Sequence, residues 1–377
     1  AAVDEFLAFA ETHQLCTVDK RAGVRHWLAA APDPVALIFN DISHFKLAIT
    51  PAGVPGKLKA YLRQGSFPRR EFAAFARPRM MNIELTTRCP LHCPQCYCDL
   101  SQGRDIDLET AKGFVRQAGA LQMQQINLSG GETLAYPHLS ELIACCREHG
   151  IRANVALSGF GFDVEVLRNL RSAGVGGIFI SLNGSTEAVN RQSRDGYDLA
   201  IKALATLQQE NDPDYLINWV AHRHNVEDFP ALVALAESYG VKTVVVMAFK
   251  PDSRHELPSL PSREQLLYLA DFIKKYPAGP LKIGIESCFS PLRALVGQKF
   301  FVNLNRGIDG KLTPCRHLEI EEKVGSIAEY WQHSEVLKQL RAVEQEPRTP
   351  CHGCSYERYC LHCMAVSWKM HGGLFKG

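Results

Sequence analysis

The stretch Met81-Asn82-Ile83-Glu84-Leu85-Thr86 runs, through Thr87 and Arg88, into Cys89-Pro90-Leu91-His92-Cys93-Pro94-Gln95-Cys96. The first six residues form a short β-rich run that reads as a strand. The remainder sets three cysteines at C-x3-C-x2-C spacing, with two prolines and no helical period. Such a segment is an irregular loop, free to bring three thiolates onto one compact sulfur-ligated site.

Outward from this stretch the β-rich runs recur at Gln125–Ser129, Arg152–Leu157, Gly177–Asn183, Leu216–His222 and Lys242–Ala248. Amphipathic runs lie between them, among them Leu108–Ala120, Leu139–His149 and Val164–Ala173, the last followed by Gly174 as a stop signal. Six alternations predict an α/β fold, a partial (β/α)6 TIM-like barrel with its site where the strands' C-terminal ends open into loops. The cysteine loop follows the first strand at that end. Residues 1–76, with a helical pattern over Val3–Thr12 and a turn segment Pro51–Gly56, are expected to be an accessory region. Residues 77–280 form the barrel and residues 281–377 a separate cysteine-rich domain.

Composition narrows the function. Lys and Arg number 42 against 40 Asp and Glu, so no global basic field exists to hold a nucleic-acid backbone. The longest apolar runs are too short to cross a bilayer and no signal segment opens the chain, which predicts a cytoplasmic protein with no membrane partner. Thirteen cysteines in that compartment point to metal ligation over disulfides. Three cysteines do not complete the ligation of four irons, and an iron without a protein ligand is open to a substrate or cofactor. A zinc site completed by His92 or Cys98 fits the same spacing.

With an aromatic residue, Tyr97, directly after the third cysteine, the region from about residue 80 to residue 249 resembles the radical S-adenosylmethionine superfamily. That resemblance implies one 4Fe–4S cluster at Cys89, Cys93 and Cys96, whose open iron chelates the amine and carboxylate of S-adenosylmethionine. One electron then breaks the sulfonium bond and yields a 5′-deoxyadenosyl radical. By position, the resemblance carries cofactor contacts onto Tyr97, onto Gly130, Gly131 and Glu132 for the methionine amino group, and onto Ser181 and Asn183 for ribose or carboxylate. It also assigns Arg194 to the carboxylate, Met247 and Ala248 to adenine through the backbone, and Ser158 as a further contact.

Gly310-Lys311-Leu312-Thr313-Pro314-Cys315 and Cys351-x2-Cys354-x5-Cys360-x2-Cys363 resemble the C-terminal extension called SPASM. The resemblance implies auxiliary iron–sulfur clusters, one held by Cys288, Cys315 and Cys363 and another by Cys351, Cys354 and Cys360. The chain departs from the pattern after Cys363, where no further cysteine follows, so each cluster is a ligand short. His371 as a substitute ligand, a single cluster on Cys351, Cys354, Cys360 and Cys363, or a zinc ribbon on those four are the other readings.

Superfamily members with this extension most often modify ribosomally made peptides. The resemblance therefore implies a peptide or small protein substrate, an oxidative thioether or carbon–carbon crosslink, and an external one-electron reductant such as flavodoxin or ferredoxin. Val3–Lys20 resembles the closing helix and turn of a leader-peptide-binding winged helix. A haem or tetrapyrrole biosynthetic enzyme, and a non-catalytic iron–sulfur or zinc-binding adaptor, are the alternatives. His222 and His224 read as polar lining, Cys145 and Cys146 as packing residues, and Cys98 as a spare thiol or hydrogen-atom donor.

Overall fold

In the computed structural model, the unit Arg77–Gly377 is described at residues 78 and 80–374, apart from 102, 278, 287, 288, 297–303, 307–311, 316, 319, 321, 323 and 343–362. The accessory region 1–76, and with it Cys16 and the segments Val3–Thr12, Val3–Lys20 and Pro51–Gly56, lies outside the described residues. So do Cys288, Cys351, Cys354 and Cys360.

All six expected strands are present: β1 (Met80–Thr86), β2 (Gln125–Gly130), β3 (Arg152–Leu157), β4 (Gly177–Ser181), β5 (Tyr215–Ala221) and β6 (Thr243–Ala248). Each pairs in parallel with the next. A seventh strand, β7 (Lys282–Ile285), extends the sheet beyond β6. Its four residues include Gly284, too short a run to stand out in sequence. On the other side β8 (Leu304–Arg306) joins β1 in parallel, and β9 (Leu312–Thr313) turns back antiparallel to it. The order β7-β6-β5-β4-β3-β2-β1-β8-β9 leaves β7 and β9 at opposite edges, so the barrel is partial and open.

The connecting helices are α1 (Leu108–Ala120), α2 (Leu139–Glu148), α3 (Val164–Ala173), α4 (Glu187–Asn190), α5 (Tyr197–Gln209), α6 (Phe229–Ser238), α7 (Arg263–Lys275) and α8 (Ser290–Val296). Three short helices follow, α9 (Ile327–His333), α10 (Glu335–Ala342) and α11 (Met364–His371). Side-chain caps set several starts: Asp107 accepts from Thr110 N at 2.9 Å, and Asp163 accepts from Val166 N at 2.9 Å. Gly174, left-handed at φ 99°, ends α3. Among the described residues no helix is long and apolar enough to cross a membrane.

Strand alternation divides the sheet into two faces. Ile83, Ile126, Leu128, Val155, Ile180 and Val246 are fully buried on the outer face, where the helices pack. The inner face is polar: Asn127 donates to Asn82 at 2.7 Å and Asn154 to Asn127 at 2.9 Å, an amide row across β1, β2 and β3 in register. Cys145 and Cys146 of α2 are buried packing residues, as expected.

The C-terminal exit of β1 is clamped from both sides. Gly131 N donates to Thr86 O at 2.6 Å and Glu132 N to Arg88 O at 2.8 Å, while Ile106 N reaches Leu85 O and Thr87 N reaches Arg104 O, each at 2.8 Å. A Cβ on Gly130, which has φ +134°, would stand 2.4 Å from Thr86 O, and one on Gly131 would stand 2.3 Å from Arg88 O. Only glycine permits backbone contact this close. Gly131→Ala must therefore push β2 and the cysteine loop apart, and thermal or urea unfolding is expected to show a loss of about 2 kcal/mol. Gly113→Ala, in α1 with its nearest neighbour 3.7 Å away, is the control and should gain up to about 1 kcal/mol.

Candidate functional site

The clamp delivers the chain into the cysteine loop, whose far side is held by the segment after α4. His92 N donates to Asp195 Oδ2 at 2.9 Å, Gln95 N to Ser193 O at 3.2 Å, and Cys96 N closes a turn on Cys93 O at 3.0 Å. Cys89 and Cys93 are half-buried and Cys96 is exposed. Burial pushes the Cys89 and Cys93 thiols up, and nearby thiolates add to the rise: Cys93 and Cys96 act on Cys89, and Cys96 acts on Cys93. The Arg194 guanidinium opposes the rise at Cys93. Three soft sulfur donors whose ionised forms repel one another are a suitable donor set for a cationic iron–sulfur centre. Among the described residues no three His, Cys, Asp or Glu side chains close around a single ion. The loop cysteines instead border one cavity of about 200 Å³ together. Cys98 also borders it, with its thiol turned to the Gly130 carbonyl at 3.3 Å.

Tyr97, Gly130, Gly131, Ser158, Ser181, Asn183, Arg194, Met247 and Ala248 all line the same cavity. Glu132 does not. It lies behind the wall, 1% exposed, where its carboxylate accepts from the backbone and hydroxyl of Ser158 and from Leu134 N at 3.2 Å. Those bonds leave about one of four acceptor positions open. Desolvation raises the Glu132 pKa, against the lowering effects of its hydrogen bonds and of Arg194. Arg194 is tied at Nε to Ser181 O at 3.1 Å, and its two Nη groups make no hydrogen bond among the described residues. The fork that pairs with a carboxylate is thus available.

Ala248 is more committed than its position suggested. Its N–H donates to Glu286 Oε2 at 3.0 Å, and its carbonyl accepts from Lys250 Nζ at 3.2 Å. The buried pair Lys250–Glu286, at 3.0 Å, was not legible in sequence because its partners lie on different strands' exits. Gln95, Asn218, Phe249 and His317 also line the cavity and were missed. Only Asn218, a polar residue inside an apolar strand run, carried a local signal.

His222 is buried and its ring packs at 4.2 Å on Phe249. Burial, with His224 beside it, holds its pKa down to about 3, so the ring is neutral. Its Nε2 is engaged with Gln95 Oε1 at 2.5 Å, so His222 stands behind Gln95, and neither it nor His224 borders the cavity that the sequence reading had them line.

Of the second cysteine set, Cys315 and Cys363 are within the described residues and close enough to interact. Burial pushes the Cys315 thiol up to about 11, with Lys250 opposing and Cys363 adding to the rise. The Tyr97 ring meets His317 edge-on at 4.8 Å, joining the first cysteine loop to the chain just beyond Cys315. Cys363 caps α11, which is fastened to the loop after β6 by Arg254 donating to Met370 O at 3.0 Å and by the ion pair Lys369–Asp252. His371 lies at the opposite end of α11, about 12 Å along the axis from Cys363.

Comparison with known proteins places this geometry. The profile of the Radical SAM superfamily matches residues 83–257. The PqqA peptide cyclase of Gluconobacter oxydans (strain 621H) is 28% identical over 302 residues, covering 74% of this chain and 82% of that protein. The PqqA peptide cyclase of Ruegeria pomeroyi is likewise 28% identical, over 300 residues. The crystal structure of Streptococcus suis SuiB bound to S-adenosylmethionine superposes with a TM-score of 0.64 at 16% identity, covering 90% of this chain and 85% of that one. Native anSMEcpe with bound AdoMet and Cp18Cys peptide gives 0.64 at 15% identity, over 79% and 92%. With the parallel open barrel and the three-cysteine loop at its catalytic end, these matches identify residues 83–257 of this chain as a domain of the radical SAM superfamily.

Proposed function

We propose that the chain is a radical S-adenosylmethionine enzyme that modifies a ribosomally made peptide by oxidative crosslinking. One observation carries this reading: a single cavity is lined by the three loop cysteines together with Ser158, Ser181, Asn183 and Arg194. Cys89, Cys93 and Cys96 would hold a 4Fe–4S cluster. The Arg194 fork would pair with the methionine carboxylate, and the remaining Glu132 lone pair would take the ammonium group from behind the Gly130-Gly131 backbone. Lys250 and Glu286 fix the end of β6, so that backbone at Met247 and Ala248 borders the adenine end. When bound, the cluster and S-adenosylmethionine supply a carbon-centred radical able to remove hydrogen from an unactivated C–H bond.

The peptide substrate rests on the relatives. Similar proteins include PqqA peptide cyclases, and similar structures include SuiB with its precursor peptide SuiA and anSMEcpe with peptides. We assign residues 281–377 to a SPASM-like region in which Cys315 and Cys363 contribute to an auxiliary iron–sulfur cluster, with Cys288, Cys351, Cys354 and Cys360 as further ligands. The interaction of Cys315 with Cys363 and the contact of His317 with Tyr97 support that assignment. An external one-electron donor completes the set of partners.

Iron-reconstituted protein, reduced without oxygen in the presence of S-adenosylmethionine, should release 5′-deoxyadenosine. Replacing Cys89, Cys93 and Cys96 by Ala should lower that release by at least about a hundredfold. No 5′-deoxyadenosine from iron-loaded wild type would reject the radical reading. Co-expression with a short peptide encoded beside the gene should give a mass loss of about two hydrogens by mass spectrometry. An unmodified peptide would reject crosslinking.

A further inference from the structure

A chain of hydrogen bonds with only one possible polarity runs from β5 to the cysteine loop. It starts at Val220 N–H, a backbone donor, which reaches Asn183 Oδ1 at 3.1 Å. That bond fixes which end of the Asn183 amide is oxygen, so Asn183 Nδ2 is the group facing Gln95 at 2.9 Å and Ser193 Oγ at 2.9 Å. The Gln95 atom receiving it must be the carbonyl Oε1. The His222 Nε2 that meets the same oxygen at 2.5 Å must therefore carry the proton. Both lone pairs of the Gln95 carbonyl are then filled. The rest of the amide, its NH2 group, makes no hydrogen bond among the described residues, although Gln95 lines the cavity between Cys93 and Cys96.

His222 is itself held firmly. Its backbone N donates to Asn225 Oδ1 at 2.7 Å, Asn225 in turn donates to Asn183 O at 2.9 Å and Val220 O at 3.0 Å, and Phe249 covers the ring. Asn183 is 1% exposed and Asn225 fully buried. A rigid, buried array of this kind orients one side chain at low entropic cost. It ends on a loop glutamine whose side chain has no other hydrogen bond among the described residues.

We propose that His222 is a positioning residue for this site: its ring N–H, with the Asn183 amide, fixes the Gln95 carbonyl and thereby offers the Gln95 NH2 group to an anionic acceptor at the cavity. The acceptor is a sulfur of the cluster held by Cys93 and Cys96 or the carboxylate of S-adenosylmethionine. This proposal rests on the functional reading above. A donor aimed at cluster sulfur raises the cluster's reduction potential, whereas a donor aimed at the carboxylate strengthens cofactor binding.

The test uses iron-loaded full chain as wild type, His222→Phe, His222→Gln and Gln95→Glu. Phe keeps a ring on Phe249 without the N–H, Gln restores an N–H donor, and Glu keeps the acceptor oxygens but removes the NH2. Two quantities are measured for each: the midpoint of an EPR-monitored reductive titration without S-adenosylmethionine, and the equilibrium affinity for S-adenosylmethionine. If the acceptor is cluster sulfur, His222→Phe and Gln95→Glu lower the midpoint without the cofactor. If it is the carboxylate, the midpoint stays and affinity falls by about tenfold. In either case His222→Gln lies nearer wild type than His222→Phe. Unchanged midpoint and affinity in both His222→Phe and Gln95→Glu overturn the proposal, as does His222→Gln no better than His222→Phe. Should His222→Phe fail to load iron, Gln95→Glu and His222→Gln decide by the same two quantities. A wild type with no reduced-cluster signal rejects the functional reading and this proposal together, whereas a normal wild type with unchanged variants rejects this proposal alone.

Discussion

The backbone contact between Gly130-Gly131 and Thr86–Arg88 is the constraint from which the site follows. Parallel strands end in register, and the loops leaving them must either diverge or touch. Here they touch, because two glycines let the exit of β2 donate two hydrogen bonds to the exit of β1. The cysteine loop begins one residue later, so its height above the sheet is set by that contact. With Ser193 and Asp195 holding its other side, the loop is suspended between β1, β2 and the segment after β4. The cavity is the space left beneath it.

Electrostatics then divides the labour among neighbouring groups. The Cys89 and Cys93 thiols resist ionisation because they are partly buried and near other thiols, and Arg194 is the cation that acts on both Cys93 and Glu132. A carboxylate as buried as Glu132 stays in place because Ser158 supplies two donors to it. Lys250 plays a comparable part on the far wall, neutralised by Glu286 and sensed by Cys315. Arg194, held only through Nε, is the charged side chain left with donors to offer.

Much of the barrel was legible in the chain because each of its strands is an apolar run flanked by turn signals, and the loop cysteines announce themselves by spacing. What escaped had no local pattern. β7 is only four residues, and β8 and β9 are shorter still. The Gln95 network joins residues 88 and 127 positions apart, so neither Asn183 nor His222 could be linked to Gln95 before the strands were placed side by side. The surroundings of Glu132 were hidden for a related reason. Sequence puts it after the glycines, but only the fold shows its side chain turning back toward Ser158. That Cys363 and His371 stand at opposite ends of one helix was likewise visible only once the helix was in place.

The central claim is that the three-thiol loop leaves one iron open toward the cavity and that S-adenosylmethionine occupies it. Electron–nuclear double resonance on the reduced, iron-loaded chain with S-adenosylmethionine labelled with nitrogen-15 at the methionine amine tests this directly. The account predicts a nitrogen hyperfine coupling that appears on addition of the labelled cofactor and is absent with the unlabelled one. A reduced cluster whose resonance is unchanged by the cofactor, with no such coupling, would contradict it.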